Sequence, residues 1–314
     1  MALSLSLRHT MDQKYTSKLH GIVTILRWQI QRKFQKRSAP SSSSFVHLLG
    51  TFPQENCLIW HGHATVSLQF NRQHIIIDPV LNNIPFYKRF TELPLEAQHI
   101  IPDIIALTHA HYDHFDRSSV YALVHNNPNL TVVAPKGFWR YLKKIIKKEQ
   151  FVELALWETT RIGQTSLTLV PALHWSRRSP FDTNKALWGG YVIQNGAHCV
   201  YHSGDTAYGE HFKEIGERFK ITEAFLPIGA YAPREIMEVN HTNPPEALQA
   251  CNDLGAKIMI PIHYGTFALS DEPLDEPLQW FNDLIQTNIY PFIPKVLEIG
   301  EVYFLSVKST VKST

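Results

Sequence analysis

Four side chains of types that commonly bind metals lie within six residues of the sequence, at His109, His111, Asp113 and His114. They directly follow the apolar run 103–108, which is typical of a buried strand. Zn²⁺, Fe and Mn all accept imidazole nitrogens and carboxylates, and crowding these groups into one loop is costly unless a cation draws them together. The spacing therefore predicts a metal site, with a solvated polar loop as the alternative.

Three further potential ligands stand where apolar runs stop, at His174, Asp205 and His263. In open α/β sheets, ligands gather outside the carboxyl ends of the strands, so these residues are expected to converge with the first cluster. Taken alone, each would be a capping or hydrogen-bonded polar group. Taken with the first cluster, they predict one site built from four strand ends.

The elements that must position these residues are short strands separated by helices. Apolar runs closed by turn residues predict strands at 58–60, 65–70, 74–77, 104–107, 131–134, 166–170, 191–194, 199–202, 223–227 and 257–262. Helical patterns occur at 117–125, 136–147, 212–219, 244–254 and 278–285. This mixture predicts α/β layers around a buried sheet or pair of sheets.

Composition limits the classes of protein that this chain could belong to. Its 314 residues are 44% hydrophobic and 18% charged, which indicates a folded domain. A net charge of +2 argues against a nucleic-acid binder. The three cysteines are widely spaced and form no CxxC, so neither a disulfide framework nor a thiolate zinc site is expected. With no apolar run of membrane-spanning length and no secretory signal pattern, a cytoplasmic location is predicted, with peripheral membrane binding as an extension.

The N-terminal region differs in composition from the rest. Residues 13–54 contain no Asp or Glu, while 14–37 carry seven Lys or Arg side chains around an apolar face at helical spacing. A basic amphipathic helix of this kind either lies on an anionic membrane surface or packs on the domain behind it, and an organellar presequence is a third interpretation. Ser38 to Ser44 reads as a linker. The predicted division is therefore a basic arm over 1–44 and a catalytic domain over 45–314.

The motifs together resemble the metallo-β-lactamase superfamily. The resemblance is closest to its branch of phospholipases D that hydrolyse N-acyl-phosphatidylethanolamine. It is carried by Gly62-His-Ala-Thr-Val66, Asp78-Pro79, the 109–114 cluster, His174-Trp-Ser-Arg-Arg178, Asn184-Lys-Ala-Leu-Trp-Gly189, Gly204-Asp-Thr-Ala-Tyr208, Pro227-Ile-Gly-Ala-Tyr231 and His263-Tyr-Gly-Thr-Phe-Ala-Leu269. It implies an αββα sandwich with two zinc ions at one edge, for which Fe and Mn are the alternatives.

The same resemblance assigns the ligands. It implies that a first metal is held by His109, His111 and His174, that a second is held by Asp113, His114 and His263, and that Asp205 bridges the two. An Asp can bridge two cations about 3.5–4 Å apart, and metals so placed acidify water enough to supply a hydroxide nucleophile at neutral pH.

Other residues have two interpretations each. Asp78 would orient a metal-bound His or serve as a turn residue. His241 falls where the family places a His that contacts the scissile phosphate, but it could simply precede the start of a helix. Tyr112 could bind phosphate or pack on the loop, and Arg177 and Arg178 could pair with lipid phosphate or be solvated.

These features predict an enzyme rather than a binding protein. The first hypothesis is a phospholipase D that acts on N-acyl-phosphatidylethanolamine. A lactonase or a hydrolase of soluble phosphodiesters, with the same fold and metals, is the second. A non-enzymatic lipid-binding protein is the third. The expected partners are a phosphodiester substrate, an anionic membrane surface and a second copy of the chain in a homodimer.

Overall fold

The computed structural model describes Val46 and residues 52–305 of the 314-residue chain. The predicted arm over 1–44, with its helix and its Ser-rich linker, lies outside the described residues. The division of the chain at residue 44 therefore stays a prediction.

The described residues form strands and helices in alternation. The strands are β1 (Cys57–Trp60), β2 (Val66–Phe70), β3 (Gln73–Ile77), β4 (Ile104–Ala106), β5 (Thr131–Pro135), β6 (Phe151–Leu154), β7 (Thr159–Ile162), β8 (Thr165–Val170), β9 (Gly190–Asn195), β10 (His198–His202), β11 (Glu223–Pro227), β12 (Ile258–Ile262), β13 (Ile293–Pro294) and β14 (Val302–Phe304). The helices are α1 (Arg117–Asn126), α2 (Trp139–Leu142), α3 (His211–Arg218), α4 (Arg234–Met237), α5 (Pro244–Leu254) and α6 (Glu276–Thr287). Short 3₁₀ turns occur at Ala97–His99 and Lys148–Gln150.

The strands make two seven-stranded mixed sheets. The first has the order β14-β1-β2-β3-β4-β5-β6 and the second β13-β12-β11-β10-β9-β8-β7. In the first sheet, β1 and β3 both pair antiparallel with β2, and β3 is parallel to β4. In the second, β8 and β10 both pair antiparallel with β9, and β10, β11 and β12 are parallel. Five described strands of each sheet therefore run in one direction: β1, β3, β4, β5 and β6 in the first, and β8, β10, β11, β12 and β13 in the second. Of these, β4 leads into the 109–114 loop, and β8, β10 and β12 lead into the other predicted ligands.

Alternate residues of the first sheet belong to two different cores. In β3, Ile75 and Ile77 join the large cluster shared with the second sheet and with α3, α5 and α6. Ile76 between them joins a separate cluster with Val120 and Leu123 of α1. Burial on both faces produces the continuous apolar runs that identified these strands. The architecture is the predicted αββα sandwich.

The sequence prediction of a helix over 136–147 is wrong except for the single turn of α2. Beyond that turn, Lys143 and Lys147, like Lys144 and Lys148, would face each other at i,i+4 spacing and repel. The backbone N–H groups of Ile145 and Ile146 both bond to Leu142, so the helix ends there and the chain turns toward the start of β6. The apolar residues whose spacing suggested a longer helix pack beneath this surface turn instead.

A buried polar network links β2 to β3 and to the residues just after β1. The Ser67 hydroxyl lies 2.8 Å from His61 Nε2 and 2.9 Å from His74 Nε2, and all three side chains are buried. Burial lowers the pKa of His74 to about 4 and, with help from His74 and Arg89, lowers that of His61 to about 3. Both imidazoles are therefore neutral in the folded protein at neutral pH.

This network predicts acid sensitivity of the fold. Because the unfolded chain protonates these histidines near their usual pKa of about 6.5, stability is intact above that pH and falls as the pH drops toward the folded values. Between pH 6.5 and 5, each of the two histidines should lower the free energy of unfolding by about 2 kcal/mol. We expect His74→Gln, which retains a hydrogen-bonding amide but cannot titrate, to flatten the pH dependence of urea unfolding by about one proton. The control His99→Gln changes an exposed histidine and should leave the slope unaltered. An unchanged slope for His74→Gln would contradict the assignment.

Candidate metal centre

Every predicted ligand lies just beyond the carboxyl end of a strand. The 109–114 loop follows β4, His174 follows β8, Asp205 follows β10 and His263 directly follows β12. α1 begins immediately after the metal loop, where the Asp116 side chain accepts from the backbone N–H groups of Ser118 and Ser119. The loop is thus held between a buried strand and a capped helix.

One group of ligand atoms consists of His109, His111, His174 and Asp205, all within 4.8 Å of one another. His111 Nδ1 lies 2.9 Å from His109 Nε2 and 3.2 Å from His174 Nε2. Asp205 Oδ2 lies 3.8 Å from His109 Nε2 and 3.7 Å from His174 Nε2. These are the residues predicted for the first metal.

A second group consists of Asp113, His114, His263 and His63, again within 4.8 Å of one another. The other oxygen of Asp205, Oδ1, lies 3.0 Å from His114 Nε2 and 2.9 Å from His263 Nε2. The two oxygens of Asp205 therefore face different groups, as a bridging carboxylate requires. His63 was not predicted as a site residue.

The chemistry of these side chains fits metal ions. His114 Nε2, His263 Nε2 and Asp205 Oδ1 are buried and make no hydrogen bond within the described structure. Unpaired buried polar atoms are expensive, and a cation among them satisfies them together. The five imidazoles and two carboxylates of the predicted ligands suit Zn²⁺, Fe and Mn alike.

The electrostatics of the first group favour neutral ligands. Burial lowers the pKa of His111 to about 4. Burial also holds the pKa values of His109 and His174 well below their usual range, and neighbouring imidazoles add to the effect. Each ring is therefore neutral at neutral pH and has one nitrogen without a proton, as metal ligation requires.

In the second group, nearby carboxylates raise the pKa values of the histidines more than burial lowers them. Burial alone would lower the pKa of His263, but Asp205 and Asp113 raise it to about 9. The same carboxylates, with Asp78, hold the pKa of His114 well above its usual range against burial. Burial would raise the pKa of Asp205, yet the imidazoles of His114, His263 and His241 hold it well below its usual range. A cation entering this group therefore displaces protons, and its affinity rises with pH.

Contacts behind the ligands fix their orientations. Asp78 Oδ2 lies 2.7 Å from His114 Nδ1, and Asp78 also accepts from the backbone N–H and the hydroxyl of Thr108 at 2.7 and 2.5 Å. His174 Nδ1 lies 3.1 Å from the carbonyl oxygen of Asn240. Such partners set the ring orientation and tautomer of a metal-binding His.

The remaining predicted residues lie around the centre. His241 Nδ1 is buried without a hydrogen bond, 3.9 Å from Asp205 Oδ2, and burial lowers its pKa to about 4. Tyr112 is 40% exposed and donates to the carbonyl oxygen of Arg178. Arg177 is exposed beside Trp175 and lowers the pKa of His111 through its charge.

Arg178 has a structural task. Its guanidinium donates to the carbonyl oxygens of Ala110 and Phe115 in the metal loop and covers the Tyr112 ring. These bonds occupy Nη1, so the predicted contact of Arg178 with phosphate would have to use its other nitrogens. Arg177 makes no ion pair within the described structure and is the better placed of the two for an anionic substrate.

Comparison with known proteins identifies the family. A model of the β-lactamase superfamily domain matches residues 73–264. The chain belongs to the metallo-β-lactamase superfamily. A mitochondrial N-acyl-phosphatidylethanolamine-hydrolysing phospholipase D of Saccharomyces cerevisiae is 34% identical over 69% of the chain and 49% of its own length. The Caenorhabditis elegans phospholipase D 1 of the same description is 30% identical over 67% of the chain and 64% of its own.

The chain thus spans half to two thirds of these two relatives' length. A UPF0173 metal-dependent hydrolase of Exiguobacterium is 31% identical, with 72% of the chain matching 92% of that protein. The described domain is therefore a metal-dependent hydrolase domain of the superfamily.

Two solved structures show the same fold. Igni18, a metallo hydrolase from Ignicoccus hospitalis, has a TM-score of 0.62 and 23% identity over 81% of this chain and 99% of its own. CmlA, a diiron β-hydroxylase from Streptomyces venezuelae, has a TM-score of 0.59 and 19% identity over 81% of this chain and 55% of its own. The same fold thus occurs in proteins described as a hydrolase and as a hydroxylase. Among the described residues, none of the helices is both long and apolar enough to cross a bilayer.

The contact between Asp78 and His114 predicts the effect of a mutation on metal binding. We expect Asp78→Asn to lower the affinity for a metal at the second group about 10–100-fold, because an amide orients the His114 imidazole less well than a carboxylate does. Competition with a chromophoric chelator measures this affinity, and unfolding of the metal-free proteins shows whether the fold persists. Asp283→Asn, an exposed change on α6, is the control. Equal affinity in Asp78→Asn and the parent would refute the role.

Proposed function

We propose that this protein is a dinuclear zinc phosphodiesterase of the phospholipase D type, which hydrolyses N-acyl-phosphatidylethanolamine to N-acylethanolamine and phosphatidic acid. The dinuclear part rests on one observation: the two oxygens of Asp205 face the two ligand groups separately, at 2.9–3.0 Å and 3.7–3.8 Å from their nearest imidazole nitrogens. The choice of substrate is supported by the two relatives with that named activity.

The chain's own residues suit phosphodiester hydrolysis. Two bound zinc ions supply Lewis acidity and lower the pKa of water to near neutrality. The neutral ring of His241 can donate one N–H to a phosphate oxygen or to the leaving oxygen at the edge of the centre. Arg177 offers a guanidinium to the same phosphate, in the charge-assisted pairing typical of Arg and phosphate.

In the overall reaction, phosphorus gains the oxygen of water and loses its bond to the ethanolamine oxygen. The leaving alcohol takes the proton. Because the ligands themselves are buried, we expect the phosphate to approach from the side of the exposed Tyr112 and Arg177.

A groove beside His174 offers apolar surface for the acyl part of the substrate. It measures about 590 Å³, and the apolar side chains of Leu173, Val239 and Ala207 line it together with the charged side chains of Arg234, Glu238 and Glu246. Leu173 is 47% and Val239 67% exposed, so both present apolar surface to a ligand. Val239 directly precedes Asn240, whose carbonyl oxygen contacts the His174 ring. An acyl chain in this groove would therefore place its polar end near the metals.

A panel of substrates tests the function. We expect the full-length chain loaded with zinc to bind about two ions and to release N-acylethanolamine from vesicles of N-acyl-phosphatidylethanolamine. Asp205→Asn should abolish turnover. If only a soluble bis-phosphodiester or a lactone is turned over, the proposed lipid substrate is wrong and one of those compounds takes its place. Parent-level turnover in Asp205→Asn would remove the metal centre from the reaction.

The groove predicts a chain-length effect. Val239→Asp and Leu173→Asp should each raise the KM for long-chain N-acyl substrates about 10-fold or more, since losing the burial of such a side chain costs about 1.5–3 kcal/mol. The KM of a soluble phosphodiester should not change. Ile289→Asp, an equally apolar but remote exposed position, is the matched control. An equal loss on both substrates would show that the groove does not hold the acyl chain.

A further inference from the structure

We propose that His63 is a positioning residue of the second metal, which donates a hydrogen bond from Nε2 to Oδ2 of Asp113 and so fixes that carboxylate for ligation. The inference rests on the dinuclear centre of the proposed function and is independent of its lipid substrate. His63 lies in the turn between β1 and β2, outside the set of ligands that the sequence predicted.

The contact involves the oxygen of Asp113 that faces the other ligands. His63 Nε2 lies 2.9 Å from Asp113 Oδ2. The same oxygen lies 3.6 Å from both His114 Nε2 and His263 Nε2, where a shared metal would be reached. A hydrogen bond at this atom therefore sets how the carboxylate presents itself to that metal.

The backbone holds the imidazole in place from both sheets. Gly62 and His63 both adopt left-handed conformations, with φ of +93° and +52°. The His63 N–H donates to the Thr266 hydroxyl at 2.8 Å, and its carbonyl oxygen accepts from the backbone N–H of His263 at 2.9 Å and from Trp60 Nε1 at 2.8 Å. A non-glycine residue persists in this conformation only where its surroundings enforce it.

Packing restricts the ring as well. The imidazole is 2% exposed, and its centroid lies 4.0 Å from that of His263 and 5.2 Å from that of Phe267. The ring can neither turn away from Asp113 nor reach solvent. His63 thus orients the Asp113 carboxylate of the second metal, just as Asp78 orients the His114 imidazole.

Two substitutions separate this role from simple structural support. Asn tolerates the left-handed conformation well, but its amide nitrogen ends near the position of Nδ1 and cannot reach Asp113. Gln is less suited to the turn, but its amide nitrogen can take the place of Nε2. We expect His63→Asn to bind the first metal as the parent does and the second about 10–100-fold more weakly, and His63→Gln to recover most of the loss.

The measurements are metals per chain after dialysis and the affinity for a second Co²⁺ in competition with a chromophoric chelator. Neither needs turnover, so a failure of the lipid hypothesis leaves this test intact. His125→Asn, at an exposed histidine of α1, is the matched control. Parent-like affinity for both metals in His63→Asn would overturn the proposal.

Two further results bear on the mode of action. If His63→Gln binds the second metal as weakly as His63→Asn while its metal-free form unfolds like the parent, His63 is itself a ligand and the donor role is wrong. If His63→Asn does not fold, His63→Gln takes its place in a double-mutant comparison, which tests the contact independently. In an Asp113→Asn background the donor has lost its carboxylate, so changing His63 should then alter the affinity for the second metal little. A full additional loss in that background would overturn the proposal.

Discussion

The carboxylate of Asp205 lies between two groups of imidazoles, and the rest of the fold holds this carboxylate and both groups in place. A buried carboxylate among buried imidazoles is tolerable only where charge and hydrogen bonds are balanced. Here the balance is incomplete, because Asp205 Oδ1 and the facing nitrogens of His114 and His263 make no hydrogen bonds. Cations complete it. The two sheets must bring their strand ends together within a few ångströms for this to happen, and the shared direction of β4 in one sheet and of β8, β10 and β12 in the other does so.

Much of this arrangement was predictable because the relevant signals are local in sequence. Buried strands have apolar runs, and a ligand placed where such a run stops lies at the sheet edge. The αββα layers and the convergence of His174, Asp205 and His263 on the 109–114 loop follow from that rule. β6 and β7 were not predicted, because only two residues of β6 and none of β7 are buried and their apolar runs are weak. The Lys-rich turn after α2 imitated a helix because its apolar spacing is helical.

The structure also adds what local patterns do not reveal. His63 follows the end of β1 just as other site residues follow their strands, so the same rule could have indicated it. Its contact with Asp113 joins residues 50 positions apart and depends on how the β1–β2 turn meets the loop between β4 and α1. Arg177 and Arg178 are equivalent in a motif, but only the structure shows that Arg178 binds the loop carbonyl oxygens while Arg177 points outward. Sequence indicates which residue types are present, and packing decides which of their donors are used.

Three of the nine non-glycine residues with left-handed φ angles in the described structure lie at the metal centre. His63, Asp78 and His263 all have left-handed φ angles, between +44° and +64°. Each such conformation costs on the order of 1–3 kcal/mol and must be supported by the surrounding structure. Here Asp78 and His263 directly follow buried strands, and His63 is bonded to the loop that follows β12. The rigid inner side of the centre is therefore fixed by the fold, whereas Leu173, Val239 and Tyr112 on its rim are exposed and bear little of the packing. The same fold occurs in a protein described as a hydroxylase, so the substrate must be argued from the rim residues rather than from the fold.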